Sequence, residues 1–176
     1  MSIWVCGEVL IDILPTGPVV GGGPANTAKA LARLGYEVDF IDGISTDAYG
    51  VSARKELERD GVGLKLALSS DKPTCTATVT LDAAGSASYE FLINGTATFD
   101  FNNSWLPDPE RLKPSVLHIG TLVTIVEPAS TTLYEWAVSV LSLHRLSLIR
   151  MCVHLWWEIA ISTVQRLKNG LVFQVL

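Results

Sequence analysis

The chain has 176 residues, of which 48% are hydrophobic and 18% are charged, so its composition is that of a globular domain and excludes a disordered chain. Its formal net charge is −5 and no cluster of Lys and Arg builds a basic face, which excludes nucleic acid and anionic membranes as expected partners. The three cysteines, Cys6, Cys75 and Cys152, are far apart and odd in number. This favours buried thiols in a reducing cytoplasm over a disulfide framework or a metal knuckle.

Neither of the most apolar stretches has the pattern of a targeting or membrane segment. Residues 1–14 lack a basic start and are interrupted by Glu8 and Asp12, so we expect a buried strand rather than a signal peptide. Residues 141–160 contain two His, two Arg and one Glu, a density of polar groups that a membrane span rarely tolerates. No membrane partner is therefore expected.

The first third of the chain alternates between predicted strands and helices. Residues 2–7 form a short apolar run that ends in Gly and predicts a central strand, and residues 15–23 are rich in turn residues and predict a loop. Residues 25–34 have helical spacing, and Gly35 follows them as a stop signal. Residues 37–44 predict a second strand.

Further along, a helix, a hairpin and a second strand–helix unit are predicted. Thr46 or Asp47 can cap a helix that reaches about Asp60, and residues 63–68 are a short strand candidate. The runs 74–82 and 86–93 alternate and are rich in β-branched and aromatic residues, with "AAG" between them, which predicts a hairpin. Residues 116–121 and 127–141 then predict a buried strand and a helix. The pattern indicates an α/β parallel-sheet layer with an antiparallel β excursion.

Several of these segments together resemble a known family. The motifs "GEVLIDI", "GGGPANTAKALARLG" and "GISTDAYG", then the hairpin, then "LHIGTL" occur in the order and at the spacing of the N-terminal half of ribokinase/PfkB sugar kinases. The "GGxPANxAxxLARLG" form and the "PTCTATVTLD" strand are most similar to fructokinases. The resemblance covers about residues 1–140. It implies the N-terminal part of a ribokinase-like α/β fold, a parallel sheet with flanking helices plus a small antiparallel β lid at about 73–94.

The resemblance also implies a sugar site. In the family, the residues that match Gly21, Gly22 and Asn26 line the sugar, and Asp12 matches the acid that accepts hydrogen bonds from sugar hydroxyls. Glycines let the backbone approach a ligand closely, a helix N-terminus offers unpaired N–H groups, and an amide both donates and accepts. Alone, these residues also fit a plain turn, a solvated acid and a local helix cap. Fructose is the implied sugar.

Other family positions are expected to be structural. The residues that match Asp47 and Gly50 are interpreted as a helix start and a packing glycine, and His118 as a core histidine rather than a catalyst. Tyr89 and Phe91 alternate on a lid strand, where packing within the lid is the expectation. The resemblance further implies that the lid closes over the sugar, excludes water from phosphoryl transfer, and is often a dimer contact, so a homodimer is a possible partner.

The family's phosphoryl-transfer chemistry lies in a region that has no match here. Family members are roughly twice as long, use ATP and Mg²⁺, and carry a Gly-Ala-Gly-Asp element that supplies an anion hole and an aspartate base. This sequence contains no "GAGD" and no Walker loop. We therefore name no catalytic residue and no nucleotide or metal ligand, and we expect neither ATP nor Mg²⁺ to bind this chain well.

Residues 141–176 depart from the family pattern and suggest a frameshift. The family pattern expects a strand such as "APIVFDPNVRP" where this chain has "SLHRLSLIRMCVHLWWEIA". Residues 148–154 can be encoded as TTG ATC CGA ATG TGC GTC CAT. Reading from the last base of the first codon gives Asp-Pro-Asn-Val-Arg-Pro, which is the expected motif. We interpret the tail as frameshifted near residues 139–141; a divergent C-terminal helix is the alternative.

The sequence leaves more than one function open. A truncated, inactive fructokinase-like kinase that keeps the sugar-binding half is the first interpretation. A non-catalytic sugar-binding or dimerising fragment is the second, and a nucleoside-kinase relative is the runner-up among enzymes. A product of a disrupted gene without a stable fold is the last.

Overall fold

The computed structural model describes residues 2–81, 87–143 and 147–151 of the chain. The described residues form a four-stranded parallel sheet between helices, a second four-stranded sheet that we call the small sheet, and a two-stranded parallel sheet. The helices are α1 (Gly23–Arg33), α2 (Ala48–Arg59) and α3 (Ala129–Leu143), with 3₁₀ turns at Ala97–Phe99 and Leu122–Thr124. The strands are β1 (Ser2–Cys6), β2 (Leu10–Leu14), β3 (Gly17–Gly21), β4 (Glu37–Ile41), β5 (Gly43–Ser45), β6 (Leu68–Ser70), β7 (Thr76–Leu81), β8 (Ala87–Leu92), β9 (Val116–Gly120) and β10 (Ser147–Met151).

The main sheet has the order β10-β9-β1-β4, with all neighbours parallel, as the alternation of strands and helices predicts. Val5 in the central strand β1 lies between Phe40 of β4 and His118 of β9. Because both faces of a parallel sheet are covered by helices, β1 is apolar throughout rather than alternating. Its two faces bury different cores: one packs on α1 and α2, and the other packs on α3, where Trp4 stacks on Trp136.

The small sheet has the order β3-β2-β7-β8. The β2–β3 and β7–β8 pairs are antiparallel, and the β2–β7 pair is parallel. Ile11 and Val20 point one face of this sheet into the core beneath α1 and α2, so the small sheet is joined to the main body by buried apolar contacts. The opposite face carries Asp12, which lies between Val19 and Ala77.

Local sequence signals explain where α1 and α2 begin and end. Pro24 lies in the first turn of α1, where its missing N–H costs nothing, and Gly35 ends that helix region at a φ of +88°. Asp47 caps α2 by accepting a hydrogen bond from the Gly50 N–H at 2.8 Å. These are the boundaries that the glycine and Asp signals predict.

Three predicted elements are wrong in the described structure. Residues 15–23, expected as a loop, contain β3, because the turn after Leu14 folds the chain back onto β2. The single strand expected at residues 37–44 divides into β4 and β5 at Asp42. The strand candidate at residues 63–68 is mostly turn, and β6 begins only at its last residue.

The predicted hairpin is present as β7 and β8, while its "AAG" turn lies outside the described residues. In the tail, residues 141–143 complete α3, and β10 pairs with β9; the rest of the tail also lies outside the described residues. Across the described ranges, no helix combines the length and the apolar character that crossing a membrane requires.

Candidate functional site

The Asp12 carboxylate lies directly over the backbone of Gly21. Both residues are on the same face of the β2–β3 pair, and a Cβ built on Gly21 would overlap Asp12 Oδ2. Only a residue without a side chain leaves this carboxylate its place. Burial raises the pKa of the Asp12 carboxyl above its ordinary value. Within the described ranges its side chain has no hydrogen-bond partner, so its oxygens are available to accept hydrogen bonds from a ligand.

Gly22 brings the start of α1 against the loop that follows β1. It is the N-cap residue, its φ is +103° and ψ 130°, and no side chain caps the helix there. A Cβ at this position would overlap the Glu8 carbonyl oxygen and lie 3.3 Å from Val9 Cα. The tight approach therefore requires glycine for both its backbone angle and its lack of a Cβ. Because glycine has no side chain to cap the helix, the first N–H groups of α1 have no side-chain partners.

Asn26 lies in the first turn of α1. Its backbone N–H donates to the Gly22 carbonyl at 2.9 Å, the first hydrogen bond of the helix. The side chain is exposed and makes no hydrogen bond to the described residues, so the local-cap interpretation is not what the structure shows. The structure thus places Gly21 and Gly22 at the junction of β3 and α1, with Asp12 over the first glycine and Asn26 one turn into the helix.

Glu8 is a buried acid, although in the sequence it only interrupts an apolar run. Its side chain is 1% exposed and accepts hydrogen bonds from the backbone N–H groups of Thr121 and Leu122, both at 3.1 Å, and from the Thr121 hydroxyl. A carboxylate that accepts several hydrogen bonds tolerates burial. Glu8 therefore fixes the turn after β9 to the loop after β1.

Asp42 is a second buried acid, at a position for which the sequence pattern predicts no role. It accepts hydrogen bonds from the N–H groups of Val9 and Gly43 at 2.8 Å and from the Thr98 hydroxyl at 3.0 Å. Burial raises the pKa of Asp42 well above its usual value, with a smaller contribution from the Glu8 charge, while the hydrogen bonds oppose the rise. One sequence signal could have identified Asp42: it is an acid followed by glycine at the end of a predicted strand. The carboxyl ends of parallel strands meet at one edge of a sheet, where functional polar residues collect.

The structural roles expected for Asp47, Gly50 and His118 are confirmed. Asp47 caps α2 and also accepts from the Thr74 N–H at 2.8 Å and the Thr74 hydroxyl at 2.6 Å. Burial alone would raise the pKa of Asp47, but these hydrogen bonds outweigh it and hold that pKa below its ordinary value. A Cβ on Gly50 would overlap the Ser45 carbonyl. His118 is 4% exposed, and burial lowers its pKa.

The expectation that Tyr89 and Phe91 pack within the lid is confirmed in part: the two rings pack on each other, but both stay exposed. They are 58% and 41% exposed, and their rings stack on each other with centroids 6.2 Å apart. Phe91 pairs with Ala77, which pairs with Asp12, so this aromatic pair lies on the Asp12 face of the small sheet.

No group of three or more His, Cys, Asp and Glu side chains within the described ranges is arranged to hold a metal ion. The Asp12 carboxylate lies over Gly21, just before the N-terminus of α1, and the exposed Asn26 side chain lies in the first turn of that helix. This is a set of hydrogen-bonding groups suited to a polyhydroxylated ligand.

Solved structures with the same arrangement of elements define the class of fold. A fructokinase from Xylella fastidiosa with bound ATP matches with a TM-score of 0.76 and 24% identity, over 85% of this chain and 48% of that one. An uncharacterised sugar kinase from Pyrococcus horikoshii matches with a TM-score of 0.77 and 20% identity, over 94% of this chain and 57% of that one. The fold is therefore that of the ribokinase-like α/β sugar kinases, as expected.

Sequence comparison then gives the family. The pattern of the pfkB family carbohydrate kinases matches residues 16–143, and the chain belongs to this family. It is 30% identical over 143 residues to a fructokinase from Klebsiella pneumoniae, covering 76% of this chain and 45% of that protein. It is 34% identical over 142 residues to a fructokinase from Rhizobium leguminosarum bv. trifolii, covering 76% and 43%. The chain spans less than half the length of these curated relatives.

Proposed function

We propose that this chain is the sugar-binding half of a fructokinase-like kinase, and that it binds fructose without phosphorylating it. The observation that carries this proposal is the Asp12 carboxylate held over Gly21 beside the open N-terminus of α1. Relatives named fructokinase match the same part of the chain. The Asp12 oxygens would accept hydrogen bonds from sugar hydroxyls, and the exposed Asn26 amide would both donate and accept.

The absence of phosphoryl transfer is part of the proposal. In the family, ATP with Mg²⁺ supplies the transferred phosphoryl group, and the chain covers under half of relatives that carry the name fructokinase. A coupled assay with fructose, ATP and Mg²⁺ tests this directly. We expect the 176-residue product to turn over no faster than its Asp12→Asn variant. ATP-dependent phosphorylation of fructose that Asp12→Asn abolishes would overturn the claim of inactivity while supporting the sugar site.

We also propose that residues from about 141 onward are read in a shifted frame. The family match ends at residue 143, close to the point where the sequence departs from the expected strand motif. Sequencing the coding DNA from the Trp136 codon past the stop codon tests this. The proposal predicts codons for the missing strand motif in the shifted frame, followed downstream by codons for Gly-Ala-Gly-Asp, and restored kinase activity after repair of one base. Stop codons throughout the shifted frame would contradict it.

A homodimer formed through the small sheet is a second proposal, with its own observation. Val19, 49% exposed, lies on the Asp12 face but is separated from Phe91 by Asp12 and Ala77. Tyr89 and Phe91, 58% and 41% exposed, stack on each other and form an apolar patch on that face. A second copy of this chain would cover it. Light scattering after size-exclusion chromatography should show a dimer, and the double variant Tyr89→Ser/Phe91→Ser should be monomeric with an unchanged circular dichroism spectrum. A wild-type chain that stays monomeric would contradict the proposal.

A further inference from the structure

The carboxylates of Glu8 and Asp42 are buried where the small sheet joins the main sheet. Asp42 contacts both the segment that leads into the small sheet and the segment that follows it. Asp42 follows β4 of the main sheet. Its Oδ2 accepts the Val9 N–H, directly before β2, and the Thr98 hydroxyl, in the 3₁₀ turn that follows β8. We call the residues Val9, Asp42, Gly43, Ala97 and Thr98 the root of the small sheet.

The root is closely packed around this carboxylate. The Thr98 hydroxyl lies 3.0 Å from both Asp42 Oδ2 and the Val9 carbonyl oxygen, so it bridges the segments before β2 and after β8. A Cβ built on Gly43 would overlap the Ala97 carbonyl, and the Ala97 N–H donates to the Pro73 carbonyl at 2.9 Å, just before β7. The segments that precede β2 and β7 and the segment that follows β8 are therefore all in contact at the root.

The root also adjoins the candidate sugar site. Val9 Cα and the Glu8 carbonyl form the wall against which Gly22 is packed. Val9 is followed at once by β2, the strand that carries Asp12. A displacement of Val9 would therefore move both the Gly22 wall and the Asp12 carboxylate. Asp42 is fully buried and hydrogen-bonds to the Val9 N–H, but it makes no hydrogen bond to Asp12 or Gly22.

We propose that Asp42, acting through Thr98 and Val9, is a positioning residue that fixes the small sheet at its root and thereby sets the geometry of Asp12 and Gly22. Its effect on ligand binding rests on the proposed fructose site, whereas its effect on the small sheet does not. Asp42 holds the segments before β2 and after β8 in one arrangement without touching the ligand.

The test uses Thr98→Val, which removes the bridging hydroxyl while keeping the side-chain shape. This variant leaves the buried Asp42 side chain itself unchanged. Thr96→Val is the matched control, because Thr96 is equally buried at 1% exposed and its hydroxyl donates only to the nearby Ile93 carbonyl at 2.7 Å. Thr98→Ser keeps the hydroxyl and should rescue. Amide hydrogen exchange is measured on the full chain at Val9 and Ala97, with Phe40 of β4 as the reference.

We expect Thr98→Val to speed exchange at Val9 and Ala97 by about ten- to a hundredfold, the factor that corresponds to leaving buried hydrogen-bond acceptors without their partner. Exchange at Phe40 should stay unchanged, and Thr98→Ser and Thr96→Val should resemble wild type. Fructose affinity measured by calorimetry should fall with Thr98→Val and recover with Thr98→Ser.

Equal effects of Thr98→Val and Thr96→Val, or equal acceleration at Phe40, would overturn the proposal, because either would mean only a general loss of stability. If the wild-type chain binds no fructose, the proposed function fails. The exchange comparison still decides the role of the root in that case.

Discussion

Gly22 and Gly35 lie at the two ends of α1, and substituting each with Ala separates backbone strain from close packing. Both have positive φ, +103° and +88°. A Cβ on Gly35 meets nothing within 4 Å, whereas a Cβ on Gly22 overlaps the Glu8 carbonyl oxygen and lies 3.2 Å from the Glu8 carbonyl carbon. Those neighbours are backbone atoms and cannot rotate away. Gly35→Ala is therefore the matched control for Gly22→Ala.

The magnitudes follow from these contacts. Gly35→Ala should lower the free energy of unfolding by about 1–2 kcal/mol, the cost of a left-handed backbone for a residue with a Cβ. Gly22→Ala carries a backbone cost of at least this size, because φ +103° with ψ 130° lies outside the left-handed helical region. The overlap adds an overpacking cost of about 1–3 kcal/mol, so we expect a total loss of about 2–5 kcal/mol. Gly22→Ala should also weaken fructose binding, because relief of the overlap displaces the loop at Glu8 and Val9.

Urea unfolding, analysed with the same m value for wild type and both variants, measures the stability losses. Calorimetric titration with fructose measures the change in binding. The expected result is a larger stability loss and weaker fructose binding for Gly22→Ala, with binding unchanged for Gly35→Ala. Equal stability losses for the two variants would refute the close approach at Gly22. Unchanged fructose affinity in a folded Gly22→Ala chain would refute its place in the site.

Two further predictions concern Asp47 and Cys75. Asp47→Ala should lower the free energy of unfolding by about 1–2 kcal/mol, because it removes the α2 cap and the partner of buried Thr74, while solvent screens the exposed carboxylate; urea unfolding measures this loss. Because hydrogen bonds hold the pKa of Asp47 below its ordinary value, its contribution should be complete above about pH 4 and fade as pH falls through the lowered pKa, a dependence that Asp47→Ala should lack. Burial raises the pKa of Cys75 to about 12, so iodoacetamide should label Cys75 only after unfolding, as mass spectrometry would show; rapid labelling of the native chain would contradict its burial.

Strands β1, β4 and β9 of the main sheet were predictable from sequence because they carry strong local signals, whereas no strand was predicted at β10 in the tail. β1 is an apolar run that ends at a glycine, and α2 begins at a capping Asp. β3 was missed because residues 15–23 are dense in Gly and Pro, and their pairing with β2 is a tertiary contact that turn residues do not reveal.

The candidate site was only partly predictable. The ordered motifs identified Asp12, Gly21, Gly22 and Asn26, but no local pattern shows that the Asp12 carboxylate lies over Gly21. Asp42 escaped notice because its partners, Val9 and Thr98, are far from it in the chain. A buried carboxylate is recognised by the donors that surround it, and those are known only once the chain is folded.

The central claim is that this chain binds fructose at the Asp12 site. Its most direct test is calorimetric titration of fructose into the purified 176-residue chain and into its Asp12→Asn variant, with circular dichroism to confirm that both are folded. The account predicts saturable binding at one site per chain for wild type and at least about tenfold weaker binding for the variant, since a hydrogen bond to a charged acceptor is lost. No binding by the folded wild-type chain, or equal binding by Asp12→Asn, would contradict it.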